Sequence, residues 1–141
     1  MSAAPDTCFE RRFRGRLSDL DRVTAEAIEY VEAAGVEAQA VYSTRLTIEE
    51  MVTNILKYGF DDTAVHEIHL RLEILPGAVR IILEDDGHPF NPLAAPEPDV
   101  NQPADQRVPG GLGIHLVRKL VDQIHYERRE GRNRLTVQIR F

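Results

Sequence analysis

The sequence predicts an α+β fold, a two-layer α/β sandwich in which helices cover one face of a mixed, mainly antiparallel sheet. Three observations indicate this arrangement. Two amphipathic helical segments follow each other near the start, two pairs of alternating segments come later, and a proline-rich stretch with a third helix separates those pairs. Alternating segments joined by short turns pair antiparallel, and the apolar faces of the helices require a sheet face to cover.

The composition is that of one ordinary globular domain, which we assign to residues 1–141. The chain is 43% hydrophobic and 28% charged, and its net charge is −6. Direct nucleic-acid binding is disfavoured because neutralising phosphates requires clustered Lys and Arg. Cys8 is the single cysteine, so no internal disulfide forms. No apolar run is long enough for a membrane span, and a cytoplasmic location is expected.

The helical segments are recognised by apolar residues at three- and four-residue steps. After a short strand over residues 8–16, Ser18 is the predicted N-cap of a first helix that ends at Gly35. A second helix is predicted over residues 37–58, where Gly59 stops it. A third is predicted over residues 112–122.

The four remaining segments alternate apolar and polar residues and are predicted to form two antiparallel hairpins. The first hairpin turns at Pro76-Gly77, and the second turns at residues 131–133, Gly-Arg-Asn. The paired segments are 68–74 with 79–83, and 124–130 with 134–141.

A proline-rich stretch separates the two hairpins. It contains six prolines between Gly87 and Pro109, so neither a regular helix nor a central strand fits there. Long loops of this kind inside a compact domain are usually functional lids or disordered segments. We predict a lid over residues 88–109.

Glu50 and Asn54 lie four residues apart on the second helix and therefore share a face. A carboxylate and an amide in this arrangement can hold a cation and a water, and Mg²⁺ prefers oxygen ligands together with substrate phosphates. Taken alone, such a pair is more typical of a solvated helix surface than of a binding site.

Asp85-Asp86-Gly87 ends a buried strand, and alternation from Leu83 places Asp85 on the core side. A carboxylate there needs a partner. It could accept a hydrogen bond from an exocyclic amine such as that of adenine, and Gly87 would allow a close approach by backbone or ligand. The alternative is an ordinary Asp-Gly turn.

Gly110-Gly111-Leu112-Gly113 opens the third helix directly. Free N–H groups and the positive end of the helix dipole favour an anion here, and the glycines leave room for phosphate oxygens. The alternative is a hinge that ends the proline-rich loop. No Walker motif or dinucleotide fingerprint is present.

Taken together and in this order, the three motifs resemble those of the GHKL ATPase/kinase superfamily, and most closely the bacterial anti-sigma factor serine kinases, the RsbW/SpoIIAB-like group. The segment from Glu50 to Gly59 resembles the family's N box. The segment that begins at Asp85 resembles its first glycine box, and the segment that begins at Gly110 resembles its second. Tyr58 departs from the family, because many members have His at this position.

The resemblance implies a role for each matching residue. Asn54 would bind Mg²⁺, Glu50 would be the general base, and Asp85 would accept a hydrogen bond from the adenine amine of ATP, with Gly87 beside the base. The phosphate loop would be formed by Gly110, Gly111, Leu112 and Gly113.

The resemblance also implies partners and an activity. The expected activity is ATP-dependent serine phosphorylation of an anti-anti-sigma protein with a STAS domain, by a homodimeric kinase that also binds a sigma factor. Two alternatives stay open. One is an ATP-binding module that sequesters a partner without catalysis, and the other is a detached histidine-kinase-like ATPase domain.

Overall fold

The computed structural model describes residues 8–59, 66–94 and 111–141. Gly110 and most of the predicted lid, residues 95–109, lie outside the described residues. The described chain forms five strands and three α-helices. Their order is β1 (Cys8–Arg14), α1 (Leu17–Ala33), α2 (Ala38–Tyr58), β2 (Glu67–Leu75), β3 (Ala78–Asp85), α3 (Gly111–Leu120), β4 (Gln123–Arg129) and β5 (Arg132–Arg140), with a 3₁₀ turn at Pro92–Ala94.

The five strands form one sheet with the spatial order β1-β2-β3-β5-β4. Each of the four pairings is antiparallel, so the predicted α+β sandwich is confirmed and the described strands include no parallel pair. The two predicted hairpins are β2–β3 and β4–β5. Their junction, β3 beside β5, pairs segments distant in sequence and places Asp85 opposite Asn133.

One face of the sheet packs against the helices and forms the core. Alternation along β2 and β3 directs Leu70, Leu72 and Leu83 to this face, where each is at most 2% exposed. Ile48 on α2 and Val117 on α3 are fully buried from the helix side. The other face is polar, and its charged side chains pair across strands. A side chain that reaches α2 from the sheet must therefore come from the inner face.

Two local predictions are wrong. Ser18 is not the N-cap of α1, because the helix begins at Leu17 after Arg16, and no side chain caps it. The chain leaves the sheet at Gly15, whose N–H donates to the carbonyl oxygen of His66 at 3.1 Å. The N-cap position is thus two residues earlier than the Ser18 signal suggested.

The second hairpin turns at Glu130-Gly131 and not at residues 131–133. Both turn residues have positive φ, 52° for Glu130 and 76° for Gly131. Such a pair is the two-residue turn that matches the twist of an antiparallel hairpin. In consequence Asn133 belongs to β5, inside the sheet.

Glu130 occupies a conformation that suits Asn better than Glu. We expect Glu130→Asn to raise the free energy of unfolding by about 1 kcal/mol, because Asn-Gly is favoured when both turn residues have positive φ. Urea denaturation followed by circular dichroism measures the change. Glu130→Ala is the control, because it removes the charge without relieving the backbone. Equal stability of the Asn and Ala variants would contradict the expectation.

Candidate functional site

A cleft lies between α2 and the inner face of the sheet where β3, β5 and β4 meet. Its empty space is about 390 Å³, part of it open to solvent. Two of the predicted site residues, Asn54 and Asp85, line it. The other lining residues are Met51, Ile55, Gly59, Leu83, Phe90, Pro92, Tyr126, Asn133 and Leu135. Apolar walls with a few polar groups are typical of a small-molecule site.

Asn54 has a buried side-chain oxygen to which no described residue donates a hydrogen bond. The residue is 3% exposed, and its Nδ2 donates to the backbone oxygen of Glu50 at 2.7 Å. That bond orients the amide along α2, and Oδ1 then has no hydrogen-bond partner among the described residues. Because an unpaired buried acceptor costs free energy, its presence at a cleft wall indicates a group that a ligand satisfies.

Glu50 precedes Asn54 by one turn of α2 and lies against the first turn of α3. A methyl group at Gly113 would overlap the Glu50 carboxylate, so the absence of a side chain at Gly113 leaves room for that carboxylate beside α3. The structure therefore brings Glu50, Asn54 and the start of α3 together.

Asp85 is also buried, at 3% exposure, and ends β3 at the bottom of the cleft. Its Oδ1 accepts from the Gly87 N–H at 2.9 Å and from Asn133 Nδ2 at 3.0 Å. The residues after it turn back against α2, where the His88 N–H donates to the carbonyl oxygen of Gly59 at 2.9 Å. This contact joins the end of β3 to the end of α2.

Gly87 makes the joint possible. A side chain at this position would overlap the Gly59 carbonyl group and crowd the Asp85 carboxylate. The close approach expected of Gly87 is therefore, in this structure, an approach by backbone. The Arg128 side chain secures the same turn from β4, since its Nη1 donates to the Gly87 carbonyl oxygen at 2.6 Å.

Asn133 was missed as a site residue from the sequence. It is 5% exposed, and its Nδ2 also donates to the His88 carbonyl oxygen at 2.9 Å. Its Oδ1 accepts from the Tyr126 hydroxyl at 2.5 Å and from the Phe90 N–H at 3.4 Å. The available signal was a polar residue on the inner face of a strand whose following inward residues, Leu135 and Val137, are apolar.

The remaining predicted residues belong to the glycine loop. Gly111, Leu112 and Gly113 form the first turn of α3. The Tyr58 ring, at the end of α2, packs on Phe90 with ring centroids 6.0 Å apart. Phe90 lines the cleft, so this aromatic pair helps to close the side from which the predicted lid begins.

Comparisons with known proteins agree with this geometry. The model of the histidine kinase-like ATPase domain matches residues 13–139. The serine/threonine-protein kinase BtrW of Bordetella bronchiseptica is 30% identical over 71% of this chain and 70% of its own length. The serine-protein kinase RsbW of Staphylococcus aureus is 26% identical over 70% of this chain and 65% of its own length.

A solved structure with the same fold contains the RsbU and RsbW domains of a Mycobacterium tuberculosis protein. The similarity covers 97% of this chain and 33% of that chain, with a TM-score of 0.66 and 16% identity. At this identity the likeness concerns the fold.

The chain belongs to the histidine kinase-like ATPase family, and within that family it is similar to serine kinases of the RsbW type. The predicted superfamily and its kinase group are thereby confirmed. Membership of this family implies the use of ATP. Among the described residues, no helix is long and apolar enough to cross a membrane. The assignment of residues 1–141 to one domain and the roles of the individual site residues stay predictions.

Gly87 and Gly113 should respond differently to a methyl group. Gly87→Ala is expected to lower the free energy of unfolding by about 1–3 kcal/mol, because the new Cβ meets the backbone of Gly59. Gly113→Ala should be nearly neutral, since the Glu50 side chain can move and Ala favours the helix by up to about 1 kcal/mol. Urea denaturation of both variants checks this, and equal losses would refute it.

Proposed function

We propose that the cleft binds ATP with Mg²⁺ and that the protein is an ATP-dependent protein-serine kinase acting as an anti-sigma factor. Its substrate is an anti-anti-sigma protein with a STAS domain, and phosphorylation releases that protein in a partner-switching system. The single observation that carries the nucleotide site is that Asn54, which lines the cleft together with Asp85, has an Oδ1 with no hydrogen-bond partner among the described residues.

The donor set fits both the nucleotide and the cation. Asp85 offers a carboxylate oxygen to the amine of adenine, and the apolar lining from Met51 and Leu135 suits a flat base. The amide oxygen of Asn54 is the kind of hard ligand that Mg²⁺ takes. Bound Mg²⁺ would neutralise phosphate charge during transfer. The N–H groups at the start of α3, from Gly111 to Gly113, would face phosphate oxygens.

Glu50 is the proposed general base. It lies one helical turn from Asn54, against Gly113 at the start of α3, which is where the phosphates would lie. From there its carboxylate can take the proton from a serine hydroxyl as the phosphoryl group is transferred. Positioned bases of this kind contribute roughly 10²–10⁴-fold to rate.

The names of the relatives support a kinase, because BtrW and RsbW are both called serine kinases. The competing function is ATP-dependent sequestration of a partner without transfer, which needs the nucleotide site but no base. The placement of Glu50 favours catalysis. A detached histidine-kinase ATPase domain receives less support, because BtrW is called a serine/threonine-protein kinase and RsbW a serine-protein kinase.

The proposal includes a homodimer and a cytoplasmic location, where sigma factors work. Among the described strands β1 lies at an edge of the sheet, where a second copy of the chain could pair with it. Light scattering on the purified protein tests the dimer, and a monomer at working concentration would remove it from the proposal. The cognate sigma factor and STAS protein are to be sought among the genes next to this one.

Glu50→Gln should lower the rate of phosphotransfer to a cognate STAS protein by roughly 10²–10⁴-fold, because Gln cannot accept the proton. ATP affinity should stay within about threefold of the wild type, since the base acts only on the transition state. Labelled ATP and calorimetry measure the two quantities. Glu49→Gln is the matched control, because the neighbouring carboxylate is 46% exposed and, among the described residues, pairs with Arg45.

Two results would reject this assignment. Transfer at the wild-type rate in Glu50→Gln would exclude Glu50 as the base. Tight ATP binding by the wild type without transfer to any cognate STAS protein would favour the sequestration function.

Asn54→Leu should abolish the gain in ATP affinity that Mg²⁺ gives, a loss of about tenfold or more. The fold should tolerate the change, because Oδ1 has no hydrogen-bond partner among the described residues and the bond that Nδ2 loses goes to the Glu50 backbone oxygen of the same helix. Calorimetric titration with ATP, once with Mg²⁺ and once with EDTA, gives the result. Thr53→Val on the same helix serves as the control, and an unchanged Mg²⁺ gain in Asn54→Leu would disprove the ligand role.

A further inference from the structure

We infer that Asn133 is a positioning residue, an inference that rests on the proposed ATP site. It fixes Asp85 as a hydrogen-bond acceptor toward the adenine base. It thereby sets the preference for a purine with an amino group over a purine with a keto group. Asn133 lies on β5 directly opposite Asp85, and both side chains are on the inner face of the sheet.

The orientation of the Asn133 amide is determined by its neighbours. Its two N–H groups go to acceptors only, Asp85 Oδ1 at 3.0 Å and the His88 carbonyl oxygen at 2.9 Å. Its oxygen receives donors only, from the Tyr126 hydroxyl and the Phe90 N–H. If the amide were flipped, its oxygen would face the oxygens of Asp85 and His88, and its N–H groups would face the two donors. Only the observed orientation therefore satisfies all four neighbours.

This orientation defines what Asp85 offers to the cleft. Oδ1 is occupied by two donors, from Gly87 and Asn133. Within the described parts of the chain no hydrogen bond reaches Oδ2, and the residue lines the cleft. A carboxylate held in this way accepts and does not donate. An amino group at position 6 of a purine matches it, whereas a keto oxygen would face it acceptor to acceptor.

A purely structural role does not explain why Asn occupies position 133. The inward residues that follow on β5, Leu135, Val137 and Ile139, are apolar and buried. An amide in this series costs desolvation energy that an apolar residue would avoid. The four hydrogen bonds that the Asn133 side chain makes with described residues go to Asp85, to His88 and Phe90 at the start of the lid, and to Tyr126 of the cleft wall. The hydrogen bonds that offset the desolvation of Asn133 are therefore made at the proposed nucleotide site.

The experiment compares Asn133→Thr with Asn133→Val, two side chains of the same shape, of which only Thr keeps a donor. Calorimetry gives the dissociation constants of ATP and of ITP, its 6-keto analogue, for the full chain with Mg²⁺. The wild type should prefer ATP by at least about 100-fold. Thr should keep that ratio within about threefold and Val should lower it by about tenfold or more, because an unpaired Asp85 oxygen can reorient.

Asn133→Leu tests the same point with a second side chain that has no donor, should Val fail to fold. It removes the N–H groups that donate to Asp85 and to the His88 carbonyl oxygen, so the ATP-to-ITP ratio should fall by about tenfold or more. Thr136→Val is the control, because Thr136 lies on the opposite face of β5 from Asn133 and the variant should keep the wild-type ratio.

The outcomes separate this inference from the proposed function. Wild-type protein that binds neither nucleotide would overturn both. Wild-type protein that prefers ATP, together with an unchanged ratio in Asn133→Val or Asn133→Leu or an equal fall in Asn133→Val and Asn133→Thr, would overturn the role of Asn133 alone.

Discussion

The site depends on one backbone contact between the sheet and the helix layer. Gly87 lies against the carbonyl group of Gly59, and the next residue, His88, donates its N–H to the same oxygen at 2.9 Å. A side chain at Gly87 would force the layers apart, because the atom it meets is backbone and cannot rotate away. The contact fixes Asp85 on β3 relative to Asn54 on α2, and so fixes the width of the cleft.

α2 can carry the site because its two faces have different tasks. Ile48, Met51 and Val52 are at most 2% exposed and hold the helix against the core. Glu50 and Asn54 lie on the adjoining edge, toward α3 and the cleft. Burying the unpartnered amide oxygen of Asn54 costs the fold stability that a ligand can return, a compromise that is common at functional sites.

Local patterns in the sequence predict most of the fold and, of the polar residues that line the candidate cleft, Asn54 and Asp85. Alternation gave the strands and their inward faces, and Asn54 and Asp85 were found because their motifs are short and local. Asn133 was missed for a specific reason. Placing the second turn at Gly-Arg-Asn removed Asn133 from β5, and its contact with Asp85 depends on the pairing of β3 with β5, which no local pattern encodes. Positive φ at Glu130, where Glu is unusual, caused the misplacement.

Nucleotide binding and catalysis would depend on different residues of the cleft. Asp85, Gly87 and Asn133 would form the part of the site that recognises the adenine base. They are held by the sheet and by the end of α2, and Glu50 does not contribute to this part. A protein that only sequestered a partner when ATP is bound could therefore keep this half and lose the carboxylate. Here Glu50 is present and lies against Gly113, where a larger residue would displace it. Because Gly113 has no side chain, the carboxylate has room beside the start of α3, and this arrangement favours transfer over sequestration alone.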